Sequence, residues 1–503
     1  MKNQFNICLL FVLILFSSLN ADIRLAGIFG SNMVLQRDMP IAVWGQASPE
    51  QIVTVVFVDQ KVKTISDKQG RWRLLLSPVA AGGPYKMAVS GDNTIELDNI
   101  LVGEVWLCSG QSNMGWPVRQ SLNAEVEIAA AQYPHIRIFQ TPRSFGAEPD
   151  SDIKGTWRAC SPDTIAEFSA VAYFFGRELH NTLNVPVGLI HSSWGGSPVE
   201  AWLSECGFIS SGTAHKSVLD HWEYLGKIKD NQQEQHDLKM AEWQEQRQKA
   251  RLNNEPEPRA PNPPPALRDW FRPNRLYNGM IHGIIPYTIR GVIWYQGEAN
   301  ARKPWEYNYT FPALIEDWRN QWNDPKMPFL YVQLANLEGR TGWPEIRQIQ
   351  LESLRIPNTA MAVAIDIGDP HDVHPANKQE VGYRLSLAAK AKVYGYDIEF
   401  SGPLFQKFTI EDSRIRIYFD HAETGLVIRN GPLRGFEVAG HDQKFYPAKA
   451  IVENNTVLVS SERVLNPKEV RYGWLPNPEE CNLYNGAGLP ASPFTTAAYL
   501  DEH

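Results

Sequence analysis

The chain has 503 residues, of which 43% are hydrophobic and 21% are charged, so we expect a globular protein of two to four domains without long disordered segments. Asp and Glu total 56 against 48 Lys and Arg, which gives a net charge of −8. A mildly acidic chain lacks the positive surface by which general nucleic-acid-binding proteins attract phosphate, and we therefore expect no nucleic-acid partner.

Residues 1–21 have the layout of a signal peptide. Lys2 is followed by ten uninterrupted apolar residues at 7–16, and small and polar residues then lead to Ala21. Ten apolar residues are too few to span a bilayer as a helix. We therefore predict export to the periplasm or the extracellular space, a mature chain that begins near Asp22, and no transmembrane segment.

Four cysteines remain after removal of the predicted signal peptide, namely Cys108, Cys160, Cys206 and Cys481. Their spacing matches no zinc-binding pattern. An oxidising compartment would allow one or two disulfides among them, with a connectivity that the spacing leaves open.

The remaining chain divides into three regions by its hydrophobic pattern. Residues 22–99 contain short alternating runs separated by turn signals, which predicts an N-terminal β domain built like a small sandwich. Residues 100–393 alternate apolar runs with helical stretches, which predicts an α/β domain with a parallel sheet. Residues 394–503 return to a β pattern and predict a C-terminal β region. The apolar runs of the central region are 104–108, 187–191, 291–295, 329–334 and 361–365.

An insertion at about 205–275 interrupts the central region. Residues 217–252 form a charged, Gln-rich helical stretch, and a Pro-rich segment follows at 255–265. Such a composition is typical of solvated surface segments. We therefore expect an excursion from the domain without a role in recognition.

Ser112 lies just after the first apolar run of the central region, in the small-residue turn GQSNM. In open α/β sheets, ligands bind at the carboxyl ends of the strands, where such a hydroxyl is exposed. The turn is not a Gly-x-Ser-x-Gly elbow, because Met114 replaces the last Gly. Taken alone, this Ser would suit the N-cap of a helix better.

Two further polar loops follow apolar runs and offer hydrogen-bond donors. The Gly195-Gly196 pair lets the backbone approach a ligand closely and offers an N–H to an oxyanion. In the other loop, Gln296 or Asn300 could donate a side-chain N–H to the same oxyanion, and Glu298 could orient the loop.

A fourth polar loop, residues 366–375, supplies imidazole and carboxylate groups. A His held by a carboxylate can accept the proton of a weak Ser nucleophile. The alternative, a metal site at His371 and His374, lacks further ligands in the sequence. Together the four loops provide a nucleophile, a backbone donor, a side-chain donor and a base, which indicates a Ser-nucleophile active site.

The segments GEVWLCSGQSNM, SSWGGSPVEAW, GVIWYQGEAN and DPHDVHPANKQEVGYRL closely resemble those of the bacterial sialate O-acetylesterase family. These are SGNH-type serine esterases related to acetyl-xylan esterases, and the resemblance extends from about residue 24 to residue 496. It implies a flavodoxin-like SGNH hydrolase core, no metal or organic cofactor, and an O-acetylated carbohydrate as the partner. It leaves the oligomeric state open.

The resemblance also implies roles in catalysis. Ser112 would be the nucleophile and His374 the general base. From their loop, we separately expect Asn300 and Glu298 to contact the substrate. The oxyanion hole would combine backbone N–H groups with one side chain, namely those of Ser112, Gly195, Gly196 and Gln296.

Three carboxylates are candidates for the group that assists His374. Many SGNH enzymes place the Asp three residues before the His, and here that position is His371. The acid would then be Asp372, two residues before the base. Asp369 and Asp366 remain alternatives.

The predicted function is a secreted serine carbohydrate esterase that removes O-acetyl groups from sugars, with O-acetylated sialic acid as the first candidate and acetylated xylan as the second. The carboxylate of a sialic acid would favour a pocket Arg, and Arg119 and Arg302 lie near motif ends, where a surface Arg is equally expected. A non-catalytic secreted carbohydrate-binding protein would need neither Ser112 nor His374. A metal-dependent deacetylase would be inhibited by chelators.

Overall fold

One long strand joins the N-terminal sheets to the central sheet in the computed structural model, which describes residues 22–500. The predicted signal peptide at 1–21 lies outside the described residues. The strands of the N-terminal region are β1 (Arg24–Leu25), β2 (Val34–Gln36), β3 (Ile41–Gln46), β4 (Ile52–Phe57), β5 (Gln60–Ile65), β6 (Arg71–Leu76), β7 (Gly82–Ser90) and β8 (Thr94–Gly110).

The central region alternates strands and helices, as its hydrophobic pattern predicts. Its strands are β9 (Tyr133–Gln140), β10 (Trp157–Cys160), β11 (Val187–Ser193), β12 (Gly291–Tyr295), β13 (Phe329–Val332) and β14 (Thr359–Ala362). Its helices are α1 (Ala124–Ala129), α2 (Pro162–Ile165), α3 (Ala170–Leu183), α4 (Glu205–Ser210), α5 (Thr213–Lys227), α6 (Lys229–Leu252), α7 (Pro304–Trp322), α8 (Trp343–Glu352) and α9 (Lys378–Lys392).

Short helical turns connect several of these elements. The 3₁₀ turns are Val118–Gln120, Val199–Trp202, Pro265–Leu267, Asp269–Phe271, His282–Ile284, Glu298–Asn300 and Ser353–Arg355, and a π-helical turn spans Tyr277–Ile281. The C-terminal strands are β15 (Leu404–Glu411), β16 (Arg414–Asp420), β17 (Leu426–Ile428), β18 (Phe436–Ala439), β19 (Phe445–Pro447), β20 (Lys449–Glu453), β21 (Thr456–Ser460), β22 (Glu469–Tyr472), β23 (Leu483–Asn485) and β24 (Phe494–Thr495).

The central sheet runs in the order β10-β9-β11-β8-β12-β13-β14. All neighbours from β9 to β14 are parallel, and only the edge strand β10 pairs in the antiparallel sense. The strands β11 and β12 are buried at every residue, as is typical of parallel strands covered on both faces. In contrast, β6 alternates exposed and buried residues because only one of its faces meets the core.

This architecture confirms a mixed α/β protein with antiparallel sheets at both ends, and the finer flavodoxin-like and sandwich descriptions stay predictions. The strands β9 and β10 had no counterpart among the predicted apolar runs. The N-terminal strands and the central region share one hydrophobic core, whereas the C-terminal strands enclose a second. The boundary predicted between residues 99 and 100 falls inside β8.

The four cysteines of the described residues are free thiols, which excludes the disulfides that the sequence allowed. Cys108 on β8 and Cys160 on β10 lie three strands apart, roughly 14 Å at the usual strand spacing. A disulfide requires Cα atoms within about 7 Å. Within residues 22–500, no helix is long and apolar enough to cross a membrane.

A buried carboxylate, Glu104, ties β8 to three other parts of the chain. Its oxygens accept hydrogen bonds from Arg37 at 2.5 Å, Arg290 at 2.7 Å and the Tyr394 hydroxyl at 3.0 Å. Burial alone would raise the pKa of Glu104, but the hydrogen bonds and charges of Arg290 and Arg37 outweigh it and lower the pKa. The carboxylate is therefore ionised and fully paired.

We expect Glu104→Gln to lower the free energy of unfolding by about 3 kcal/mol, the low end for a broken buried ion pair, because the two guanidinium groups that lose this counter-charge are only partly buried. Chemical denaturation at pH 7 measures this loss. Because the folded-state pKa is lowered, the contribution is present at neutral pH and disappears as the pH falls through that pKa. The control Glu462→Gln removes an exposed carboxylate paired with Lys449 and should change stability by less than about 1 kcal/mol. Equal effects of the two substitutions would contradict this account.

Candidate active site

The carboxyl ends of three neighbouring strands bring the predicted loops together. In the parallel register, Gly110 at the end of β8 lies opposite Ser193 of β11 and Tyr295 of β12. Gly110 has a φ of 137°, and a Cβ there would lie 2.2 Å from the Tyr295 carbonyl oxygen. Only Gly fits this close approach, and the chain turns sharply there to place Ser112 at the edge of the sheet.

Ser112 and His374 meet across 262 positions of sequence. The Ser112 Oγ lies 2.8 Å from His374 Nε2, within hydrogen-bond distance. The imidazole stacks on the Trp116 indole, with ring centres 4.6 Å apart and an angle of 12° between the planes. This stacking fixes the ring in the orientation that directs Nε2 at the hydroxyl.

The surroundings of His374 favour its neutral form. Partial burial lowers the pKa of the imidazole, the positive charges of Lys378 and Arg259 lower it further, and Asp372 acts in the opposite direction. A neutral imidazole can accept the proton of Ser112. The Ser–His pair is thus arranged for nucleophilic attack at neutral pH.

The structure distinguishes the three candidate carboxylates. Asp372 Oδ1 lies 3.8 Å from His374 Nδ1, too far for a hydrogen bond, and it accepts the backbone N–H of His374 at 2.8 Å instead. Asp369 accepts backbone N–H groups of His371 and Asp372. Asp366 makes a two-pronged ion pair with Arg384 at 2.6 and 2.9 Å. Asp372 is therefore the nearest of the three to the imidazole, but as a weak, partly solvated partner.

Backbone donors lie directly beside the hydroxyl. A Cβ on Gly195 would lie 3.3 Å from Ser112 Cβ, so this loop packs against the nucleophile turn. The N–H of Trp194 donates to the Gly110 carbonyl at 3.1 Å and holds the two loops together. Within residues 22–500, the N–H groups of Ser112, Gly195 and Gly196 make no hydrogen bond, so they are free to donate to an oxyanion.

The side-chain N–H groups of Gln296, predicted to donate to the oxyanion, form hydrogen bonds within the protein instead. Its Nε2 donates to the Ser197 carbonyl at 3.2 Å and to Asn300 Oδ1 at 2.7 Å, so both of its N–H groups are used. The residue is fully buried beneath the loop. Gln296 therefore supports the Gly195–Ser197 loop from below, in place of the direct donation that the sequence predicted.

Asn300 retains one donor. Its Oδ1 accepts from Gln296 and from the Val199 N–H, and its Nδ2 donates to Glu200 Oε2 at 3.0 Å. The second N–H of this amide makes no hydrogen bond within the described residues. Of the two side-chain donors considered, only Asn300 has an N–H to spare.

Glu298 belongs to a buried network that the sequence pattern did not reveal. Its Oε1 accepts from Asn113 Nδ2 at 2.6 Å, and Asn113 also donates to the Val373 carbonyl at 2.9 Å. Lys378 Nζ donates to Asn113 Oδ1 at 2.6 Å, and burial lowers the pKa of this Lys to about 7. The network braces the nucleophile turn against the His374 loop, so Glu298 lies below the site. No sequence motif predicts the role of Lys378, because only the fold brings it next to Asn113.

A second Ser–His pair lies near the first. His191 Nε2 is 2.7 Å from Ser193 Oγ, and its Nδ1 is 2.6 Å from Gln140 Oε1. Burial lowers the pKa of His191 to about 3. Ser193 is only 6% exposed, so an ester cannot reach its hydroxyl. The hydrogen bonds among Ser193, His191 and Gln140 therefore have a structural role.

The insertion returns to the site, which corrects the expectation of a detached surface excursion. The Trp270 indole stacks on Trp194 with ring centres 6.1 Å apart, and Phe271 lies within 4 Å of the Cβ position of Gly196. Arg259, in the Pro-rich segment, is close enough to His374 to affect its pKa. The contacts of Trp270 and Phe271 with the loop at 194–196 remove apolar surface of the insertion from water. Within the described range 22–500, no group of three or more His, Cys, Asp or Glu side chains is arranged to hold a metal ion.

Comparisons with a family model, with curated relatives and with solved structures all find carbohydrate acetylesterases. The family model described as carbohydrate esterase, sialic acid-specific acetylesterase matches residues 265–391. The chain is 31% identical to the sialate O-acetylesterase of Rattus norvegicus over 94% of both chains, and 30% identical to that of Homo sapiens over 96% of this chain and 94% of the human one. It is also similar to the crystal structure of a carbohydrate acetylesterase from Xanthomonas citri, with a TM-score of 0.81 and 35% identity, over 95% of this chain and all of the other.

We expect Asp372→Asn to lower kcat for p-nitrophenyl acetate by roughly 10- to 100-fold, well short of the roughly 10⁴-fold loss that follows when a fully hydrogen-bonded triad Asp is replaced. Because the Asp372 charge raises the pKa of His374, its removal should also move the acidic limb of the kcat/KM profile to lower pH. A matched Asp369→Asn variant tests the alternative acid. A larger loss in that variant, or a shift of the limb to higher pH in Asp372→Asn, would contradict this assignment.

Proposed function

Because the chain belongs to the sialate O-acetylesterase family and is thus a carbohydrate acetylesterase, we propose that it hydrolyses O-acetyl groups of sialic acids with Ser112 as nucleophile and His374 as general base. The observation that carries the assignment is the 2.8 Å contact between Ser112 Oγ and His374 Nε2. The N–H groups of Ser112, Gly195 and Gly196, which make no hydrogen bond within residues 22–500 and belong to two loops that pack together, support it.

In the first half of the reaction, Ser112 Oγ attacks the acetyl carbonyl carbon while its proton passes to His374 Nε2. The carbonyl oxygen becomes an oxyanion that accepts hydrogen bonds from the N–H groups of Ser112, Gly195 and Gly196. The intermediate then collapses, the bond to the sugar oxygen breaks, and His374 returns the proton to the departing hydroxyl. The acetyl group remains on Ser112.

In the second half, water attacks the acetyl carbonyl and gives its proton to His374. Collapse of this intermediate releases acetate and restores the Ser112 hydroxyl with the proton held by the imidazole. Loss of one oxyanion donor lowers kcat by roughly 10²–10³-fold in comparable enzymes. The preorganised backbone groups therefore carry a large share of the rate, and Asp372 contributes mainly through its charge.

We expect Ser112→Ala to lose at least 10³-fold in the release of acetate from O-acetylated N-acetylneuraminic acid and from p-nitrophenyl acetate. The matched control is Ser193→Ala, which removes the other His-bonded hydroxyl and should retain activity within tenfold. A nucleophile at Ser193 would reverse this order. Acetylated xylan is the third substrate, and a higher kcat/KM on xylan than on the sialic acid would overturn the proposed substrate while leaving the nucleophile in place.

We also propose that the protein is exported, on the strength of the apolar run at 7–16 and the small residues that follow it. N-terminal sequencing of the protein recovered outside the cytoplasm should find a first residue at or near Asp22. In the control Leu13→Arg, which interrupts the apolar run, the full-length chain should stay in the cytoplasm. Recovery of the unaltered chain from the cytoplasm with Met1 intact would contradict export.

A further inference from the structure

A cavity of about 310 Å³ opens beside the Gly196 end of the active site. One wall comes from the strand-end loops, through Gly196 and Asn300, and the opposite wall comes from the insertion, through Trp222 of α5 and Phe271. Gly195, the neighbour of Gly196, packs against Ser112. The loop that carries Gly195 and Gly196 therefore contacts Ser112 through one glycine and lines the cavity through the next.

Two guanidinium groups line this cavity without a carboxylate partner in the described part of the chain. Arg302 makes no hydrogen bond or ion pair there, and Arg268 uses only its Nε, which donates to the Pro263 carbonyl at 2.7 Å. Burial and the charge of Arg302 together lower the pKa of Arg268. Two like charges thus face one space and repel each other, which favours an anion between them.

The acidic groups around the cavity do not neutralise this pair. Glu306 already accepts from Lys303 Nζ at 3.0 Å and from Ser217 Oγ at 2.7 Å. Glu200 accepts from Asn300, and burial raises its pKa to about 7, so a large fraction is uncharged at neutral pH. The remaining charge on the cavity wall is positive.

We propose that this cavity is the subsite for the carboxylate of an acidic sugar ester, bound by Arg268 and Arg302. The proposal rests on the proposed function and assigns the recognition of a negatively charged substrate to these two residues. Guanidinium groups bind carboxylates through two parallel hydrogen bonds, and Trp222 and Phe271 bound the space for the apolar face of a sugar ring. Arg119, the other Arg near a motif end, is already paired with Glu167 at 2.6 Å and is exposed.

The test compares two substrates, O-acetylated N-acetylneuraminic acid and its carboxyl methyl ester, in which a methyl group replaces the negative charge of the carboxylate. The variants are Arg302→Gln and Arg268→Gln, and the matched control is Arg119→Gln. For the acid, we expect KM to rise at least tenfold in both cavity variants, with kcat within threefold of the unaltered protein. For the methyl ester and for p-nitrophenyl acetate, kcat/KM should stay within threefold in every variant, which also shows that the variants are folded.

The subsite would be overturned if both cavity variants kept an unchanged preference for the acid on the sialic acid and on a uronic acid alike, or if Arg119→Gln showed an equal loss. Either result leaves the proposed function standing as long as hydrolysis of p-nitrophenyl acetate depends on Ser112, whereas failure of that dependence overturns the proposed function itself. An O-acetylated methyl glucuronoside gives a second source of carboxylate. The same tenfold effect on this substrate, with none on the sialic acid, would support the carboxylate subsite and replace the sialic acid by a uronic acid.

Discussion

The buried carboxylate of Glu104 fixes the strand on which the rest of the structure depends. It accepts hydrogen bonds from Arg37 in the N-terminal region, from Arg290 just before β12, and from Tyr394 after α9. A buried charge is tolerated only with such partners, so these segments must assemble together. The strand β8 leaves this cluster and ends, six residues later, at Gly110. Because β11 and β12 pair with β8 in parallel, the position of β8 determines where the loops that follow all three strands begin.

At the other end of β8, a second buried polar cluster holds the nucleophile turn. Asn113 contacts Glu298, the Val373 carbonyl and Lys378, and these come from different loops and from the start of α9. Each partner in such a network restricts the others, since an unsatisfied buried polar group is costly. The hydroxyl of Ser112 and the imidazole of His374 are thereby positioned before any substrate arrives. Preorganisation of this kind is what allows backbone N–H groups to stabilise an oxyanion without rearrangement.

The sequence revealed those parts of the molecule that local pattern controls. Continuous apolar runs identified five strands of the central sheet, and the polar residues that follow them identified Ser112, Gly195 and His374 as neighbours. The strands β9 and β10 were missed because Pro134, His135 and Arg158 interrupt their apolar pattern. The hydrogen-bond partners of side chains were harder to predict from the sequence. The bonds that Gln296 donates to Ser197 and Asn300, for example, depend on the geometry of the loops. Lys378 and the return of the insertion depend on contacts between distant segments, which spacing along the chain does not encode.

The residues around Ser112 and the residues of the opposite cavity wall come from different segments of the chain. Ser112 and Gly195 lie just after the buried ends of β8 and β11, where substitutions disturb the packing of the core. The facing wall, with Trp222, Arg268 and Phe271, belongs to the insertion. Such a segment tolerates changes of length and composition that a core strand does not. A change of length or composition in the insertion would therefore reshape this cavity wall without moving Ser112 or the strands that position it.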